Sequence, residues 1–252
     1  MKKIINVFKK NIAFTLAEIV IVMGIVGVIG VLAITNAKKD TDVAEKVAQL
    51  RKTYQIVDAA FSTAVMENGT IDTWGTNGAY PTTAQVWDVI KNYLKFQKVC
   101  DTGSGCWKDG KPYGLSGNES NYNINTSNLY GKGILSNGVS ISVASCEGEN
   151  LTIPAGCIID QTNSIQINVD VNGLKGLNIF GNDIFGFYIK PDGTTLPQKT
   201  IFTKPIVEST STNLSCKQAG VYCTAWVLKF GNMDYLKPCA DELDWNSKTT
   251  CK

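Results

Sequence analysis

The stretch VDVNGLKGLNIFGNDIFGF, residues 169–187, places Asp170, Asn172, Asn178 and Asp183 around Gly173, Gly176 and Gly181. Carboxylate and amide oxygens on a glycine-bent loop suit a hard cation such as calcium, which takes about six to eight oxygen ligands. Asp170-x-Asn172-Gly173 opens as an EF-hand loop opens, but the later spacing and the closing Glu of that loop are missing. The same residues also suit a structural loop, in which Asn and Asp side chains bond nearby amides and accept left-handed backbone. Both readings stand at this level. No other cofactor is required.

Other chemistry is thinly represented. The chain has no His, which removes Ser-His-Asp and Cys-His pairs, HExxH zinc sites and imidazole bases together. Asp241, Glu242 and Asp244 read as a solvated acidic run, and nothing assembles a nucleophile, a base and oxyanion donors. The expectation is a protein that is not an enzyme. With 24 basic and 22 acidic residues the net charge is +2. No basic face dominates, so no nucleic-acid partner is indicated.

The eight cysteines are Cys100, Cys106, Cys146, Cys157, Cys216, Cys223, Cys239 and Cys251. No CxxC pair occurs, which argues against a zinc ribbon or a thioredoxin-type site. An even number behind a membrane-targeting segment fits disulfides in an oxidising compartment. Short spacing favours four local loops, 100–106, 146–157, 216–223 and 239–251, although eight cysteines permit about 105 pairings.

All eight follow the segment NIAFTLAEIVIVMGIVGVIGVLAIT, residues 11–35. From Phe14 it would rise roughly 30 Å as a helix, enough to cross a bilayer core. Lys2, Lys3, Lys9 and Lys10 precede it and place the N-terminus in the cytoplasm with the bulk of the chain outside. A secretory signal has a shorter apolar core and a small-residue cleavage site, which Thr35-Asn36-Ala37 imitates poorly. A plain anchor leaves Glu18 unexplained. KKNIAFTLAEIVIVMGIVGVIGVLAI resembles the N-terminus of the type IV prepilin family, which includes the pseudopilins of type II secretion. The resemblance implies that a prepilin peptidase removes a basic leader, residues 1–13, between Ala13 and Phe14. Ala13 replaces the commoner Gly. It further implies N-methylation of Phe14 and a role for Glu18 in assembly. A carboxylate and a fresh α-amino group lower one another's cost in lipid, and Glu18 lies one turn from Phe14 within a helix. Between subunits, the resemblance makes the Phe14 amine of one chain the partner of Glu18 in the next. Gly24, Gly27 and Gly30 allow close helix approach.

These residues must be positioned by the elements that follow. Residues 14–35 are expected to be the transmembrane and assembly helix, and residues 36–69 its amphipathic continuation. In the latter, Val43, Val47, Leu50, Tyr54, Val57, Phe61 and Val65 recur at three- and four-residue steps. Asp40, Asp42 and Glu45 lie at the start of this stretch and suit a helix N-terminus, and Gly69 would end it. With no proline from Phe14 to Gly69, one helix could run throughout, the alternative being two helices with a hinge near Thr35–Lys39. Residues 70–252 are expected to form an α+β head. TTAQVWDVIKNYLK predicts a short helix with Val86, Ile90 and Leu94 inward, and Cys100–Gly133 reads as loop. Alternation predicts strands at Val139–Val143, Ile165–Val171, Phe185–Ile189 and Trp226–Phe230. Four such strands make an antiparallel sheet whose apolar face needs the helix stripe as cover. The pilin resemblance implies the same architecture.

The expected product is a pilin-like subunit with a single span in the bacterial cytoplasmic membrane and its head outside. It would join other pilin or pseudopilin subunits in a pilus or secretion pseudopilus. The alternative is a membrane-anchored binding protein or adhesin that does not polymerise.

Overall fold

The computed structural model describes residues 16–146, 164–190, 200–202 and 223–251, with side chains at all of these except 16, 18, 19, 24, 26–40, 190 and 200–202. The chain divides into two compact units, Met1–Asp42 and Val43–Lys252. Helix α1 spans Leu16–Asn68. It runs through residues 35–39 without a break, so Asp40, Asp42 and Glu45 lie inside a helix rather than at its start. Gly69, with φ +82°, stops it.

In the larger unit, six strands form one antiparallel sheet in chain order: β1 Phe96–Asp101, β2 Gly131–Leu135, β3 Ser140–Cys146, β4 Ser164–Asp170, β5 Ile184–Lys190 and β6 Thr200–Phe202. The predicted helix forms as α2, Thr83–Ile90. Thr82 and Gln85 close a reciprocal capping box at its start, which satisfies amides that a helix N-terminus leaves unpaired. Val86, Trp87 and Ile90 are buried along it, and Leu94 is buried just beyond.

Paired residues share a face, and the register separates two faces of different chemistry. One carries Ile141 and Val143, Ile165, Ile167 and Val169, and Phe185, Phe187 and Ile189. It joins the α1 stripe in a single core with Val47, Leu50, Val57, Phe61 and Val65 buried. Tyr54 meets Phe187 edge to face, with ring centroids 5.5 Å apart. At β2 this face has no side chain at Gly131, where a Cβ would collide with the Trp87 ring, and none at Gly133, which lies against Phe96.

The opposite face carries Lys132, Ser140, Ser142, Gln166, Asn168 and Asp170, all buried. Residues 102–130 fold across its β2–β3 side. Trp107 donates its indole N–H to the Ile141 carbonyl at 3.2 Å. Lys132 donates to the carbonyls of Ile124, Asn125 and Ser127 at 3.2, 2.8 and 2.6 Å. Burial pulls that ammonium down to about 8, and the three carbonyls replace its hydration.

Two further expectations are corrected. The stretch read as loop from Cys100 contains the end of β1 and the start of β2. AWVLKF is not a strand: Cys223–Phe230 is helix α3. Its buried residues Cys223, Thr224, Trp226 and Val227 follow the helical period. Strand β6 pairs only with Tyr188–Lys190 of β5, and the Gly186 amide of β5 instead donates to the Thr224 hydroxyl at 3.0 Å.

Replacing Phe187 by Ala removes the ring on which Tyr54 packs. The expected loss is about 3–5 kcal/mol, read from urea unfolding of the purified chain followed by tryptophan fluorescence.

Candidate functional site

The loop singled out in the sequence joins β4 to β5. Gly173 takes φ +66°, and a Cβ there would run into the Gly138 carbonyl of the neighbouring turn. The loop closes on its own backbone. Gly173 N–H donates to the Asp170 carbonyl at 3.1 Å, and Val171 N–H to that of Asp183 at 2.9 Å. The Ile179 carbonyl collects the amides of Asn182, Asp183 and Ile184. Tyr235 fixes the far side, its buried hydroxyl donating to the Gly181 carbonyl at 2.6 Å.

Asp170 is the last residue of β4, and Asn172, Asn178 and Asp183 lie on the loop that follows it. Asp170 and Asp183 are buried, Asn178 is 6% exposed and Asn172 is half-buried. Asp170 Oδ1 accepts from the Asn172 amide at 3.2 Å. Burial, and then the nearby Asp183 carboxylate, push the Asp170 carboxyl up to about 8 against the pull of the Asn172 and Gly173 amides and, less, of Lys46. Lys46 enters from α1: its ammonium sits 2.9 Å from Asp183 and donates to Asn182 Oδ1 at 3.2 Å. Among the described residues, no group of three or more His, Cys, Asp or Glu is placed to hold a metal. Any cation here would therefore depend on the amide oxygens as well.

Lys46 was not anticipated. Its signal was present: it stands three residues after Val43 and four before Leu50, on the apolar stripe itself. A lysine at such a position needs an acid from whatever covers it.

The remaining candidates sort as follows. Ala13 and Phe14 lie outside the described residues, and Glu18 lies in α1 with its side chain outside the description. Val20, Ile21, Val22, Met23 and Ile25 are 54–71% exposed in the chain taken alone. Among the described residues no helix is long and apolar enough to cross a membrane. Cys100–Cys106 and Cys239–Cys251 are disulfides. Cys146 and Cys223 are also disulfide-bonded, while Cys157 and Cys216 lie outside the described residues. In the acidic run, Asp244 caps the final turn by accepting from the amides of Asn246 and Ser247, both at 2.7 Å, and from the Ser247 hydroxyl. These bonds pull it down to about 2, and Glu242 pairs with Lys248. No model of a known protein family matches the chain, and neither a curated protein nor a solved structure does.

Changing Lys46 to Met takes the neighbouring ammonium away from the buried Asp183 carboxylate, which keeps the Asn182 amide at 3.1 Å, and should cost about 3 kcal/mol. Adding Asp183→Asn should recover part of that loss, which a double-mutant cycle in urea would measure. Asp170 gives a second expectation. Its folded-state value lies above the ordinary 3.8, so the folded chain holds the extra proton between about pH 4 and pH 8. Its contribution to stability is greatest below the unfolded value and falls as pH rises through that window. Asp170→Asn should flatten this part of the stability profile.

Proposed function

We propose that the chain is a pilin-like structural subunit, trimmed before Phe14 by a prepilin peptidase and assembled through its N-terminal helix into a pilus or pseudopilus. The observation that carries this reading is one helix with two jobs. α1 begins in the sequence AFTLAE and its apolar run, and ends as the stripe covering an antiparallel sheet. The bare apolar side chains at Val20–Met23 and Ile25 add support, because contiguous exposed apolar surface calls for lipid or another protein surface. Glu18 then becomes intelligible as the acid that matches a neighbour's N-terminal amine within an apolar helix pack. The disulfides fit a head that matures outside a reducing cytosol.

Intact-mass and N-terminal peptide analysis of the mature protein tests the processing step. The expected chain begins at N-methylated Phe14; one beginning near Asn36 or Lys38 would assign it to ordinary secretion. Glu18→Ala tests the assembly step. Membrane insertion should persist while incorporation into sheared filaments fails. Normal surface function without any filament would favour a non-polymerising adhesin.

A further inference from the structure

We propose that heads of successive copies dock end to end, with Met66 of one copy seated in a hollow beside the β4–β5 loop of the next. This contact rests on the filament reading above and adds a head-to-head interface to it. Met66 stands in the last turn of α1 and is 80% exposed. Its unbranched, adaptable side chain is suited to filling an irregular apolar gap. The hollow, of about 340 Å³, is lined by Tyr113, Leu115, Leu177, Ile179, Asn182 and Leu236. Tyr113, Leu177 and Leu236 are exposed around it, Leu177 at 66%. Bare apolar side chains gathered at one concavity call for a protein partner.

Placement identifies that partner as a second copy of this chain. Asn182 lines the hollow and accepts from Lys46 on α1. Met66 lies twenty residues further along the same helix, roughly 30 Å away at the helical rise. The apolar knob and the apolar hollow therefore lie at opposite ends of this stretch of helix, and a chain cannot fill its own hollow. A contact between two different patches is heterologous, and one that does not close into a ring propagates as a filament. Charge fits the same pairing. Glu67 is exposed beside Met66; it accepts from the Tyr93 hydroxyl at 2.8 Å but forms no ion pair among the described residues. At the hollow, Lys111 and Lys237 are already matched by Glu119 and Asp234. Lys175, exposed two residues before Leu177, has no ion-pair partner among the described residues. Docking Met66 brings the unmatched acid of one copy towards the unmatched ammonium of the next. A contact this small would not hold two free proteins together. Chains held side by side by their N-terminal helices meet at a high effective concentration, at which it can set their stagger.

For the test, Met66 is replaced by the photo-cross-linker benzoylphenylalanine in the full-length chain, made in cells that also produce a tagged, otherwise unaltered copy. Sheared filaments are irradiated and the joined peptides identified by mass spectrometry. The expected product joins position 66 to the peptide carrying Leu177 or Leu236 of the tagged copy. Glu67→Lys and Lys175→Glu, introduced without the cross-linker, should each lower filament yield about tenfold through like-charge repulsion. Membrane levels should hold, and the double reversal should restore the yield. Wild-type filaments in which position 66 joins nothing, a different protein or another surface of the chain overturn the contact and leave the filament reading intact. A double reversal no better than its parents also overturns it. If wild-type cells yield no sheared filaments at all, the filament reading falls and the contact falls with it.

Discussion

The contact between the α1 stripe and the apolar face of the sheet is the constraint on which the larger unit depends. Leu50, Val57 and Phe61 are fully buried there, as are Ile141, Ile167 and Phe187 on the strands. Full burial of side chains this size is worth about 1.5–3 kcal/mol each relative to exposure, so the helix supplies much of the core and is not an appendage to it. The same contact brings Lys46 to the β4–β5 loop. A helix that covers the sheet in this register carries position 46 to the end where that loop closes, and Asp183 receives it.

Covering one face obliges the fold to cover the other. The pleat sends alternate residues to opposite sides, and here the second side is polar yet buried. Its solution is side chain to backbone. Lys132 holds three carbonyls of the crossing segment and Trp107 reaches the backbone of β3, while Asn168 donates to Ser142 within the sheet at 3.4 Å. These bonds give a structureless segment a fixed seat without a large apolar surface. A smaller apolar cluster of Trp107, Ile124, Tyr130, Ile134 and Phe180 supports them.

The strands β3, β4 and β5 were legible because their apolar residues repeat every second position on the face that meets α1. Strand β2 was not. Trp87 and Phe96 lie where its apolar side chains would stand, so the sequence there reads Gly131 and Gly133 and resembles loop. Strand β1 lies at the sheet edge and is mostly exposed, which erases its pattern. AWVLKF alternates as a strand does, but a short apolar run fits either period, and here it is helix, with Thr224 accepting from the Gly186 amide. The loop of Asp and Asn oxygens was visible from composition alone. Lys46 is marked by its place on the apolar stripe as a lysine in need of an acid, but which acid was not legible, because Asp183 lies far away in sequence and only the folded register joins them.

The order in which the chain emerges during synthesis matters to this architecture. The strands follow one another around the sheet, so each can pair with the one just made. Helix α1 is different: it is complete early, while Phe185, Phe187 and Ile189 arrive far later. Until β5 appears, the stripe from Val47 to Val65 lacks part of its cover, including the Phe187 ring on which Tyr54 packs, and a growing chain would present that oily surface to its surroundings. Such a protein should lean on holding factors more heavily than its modest size would indicate.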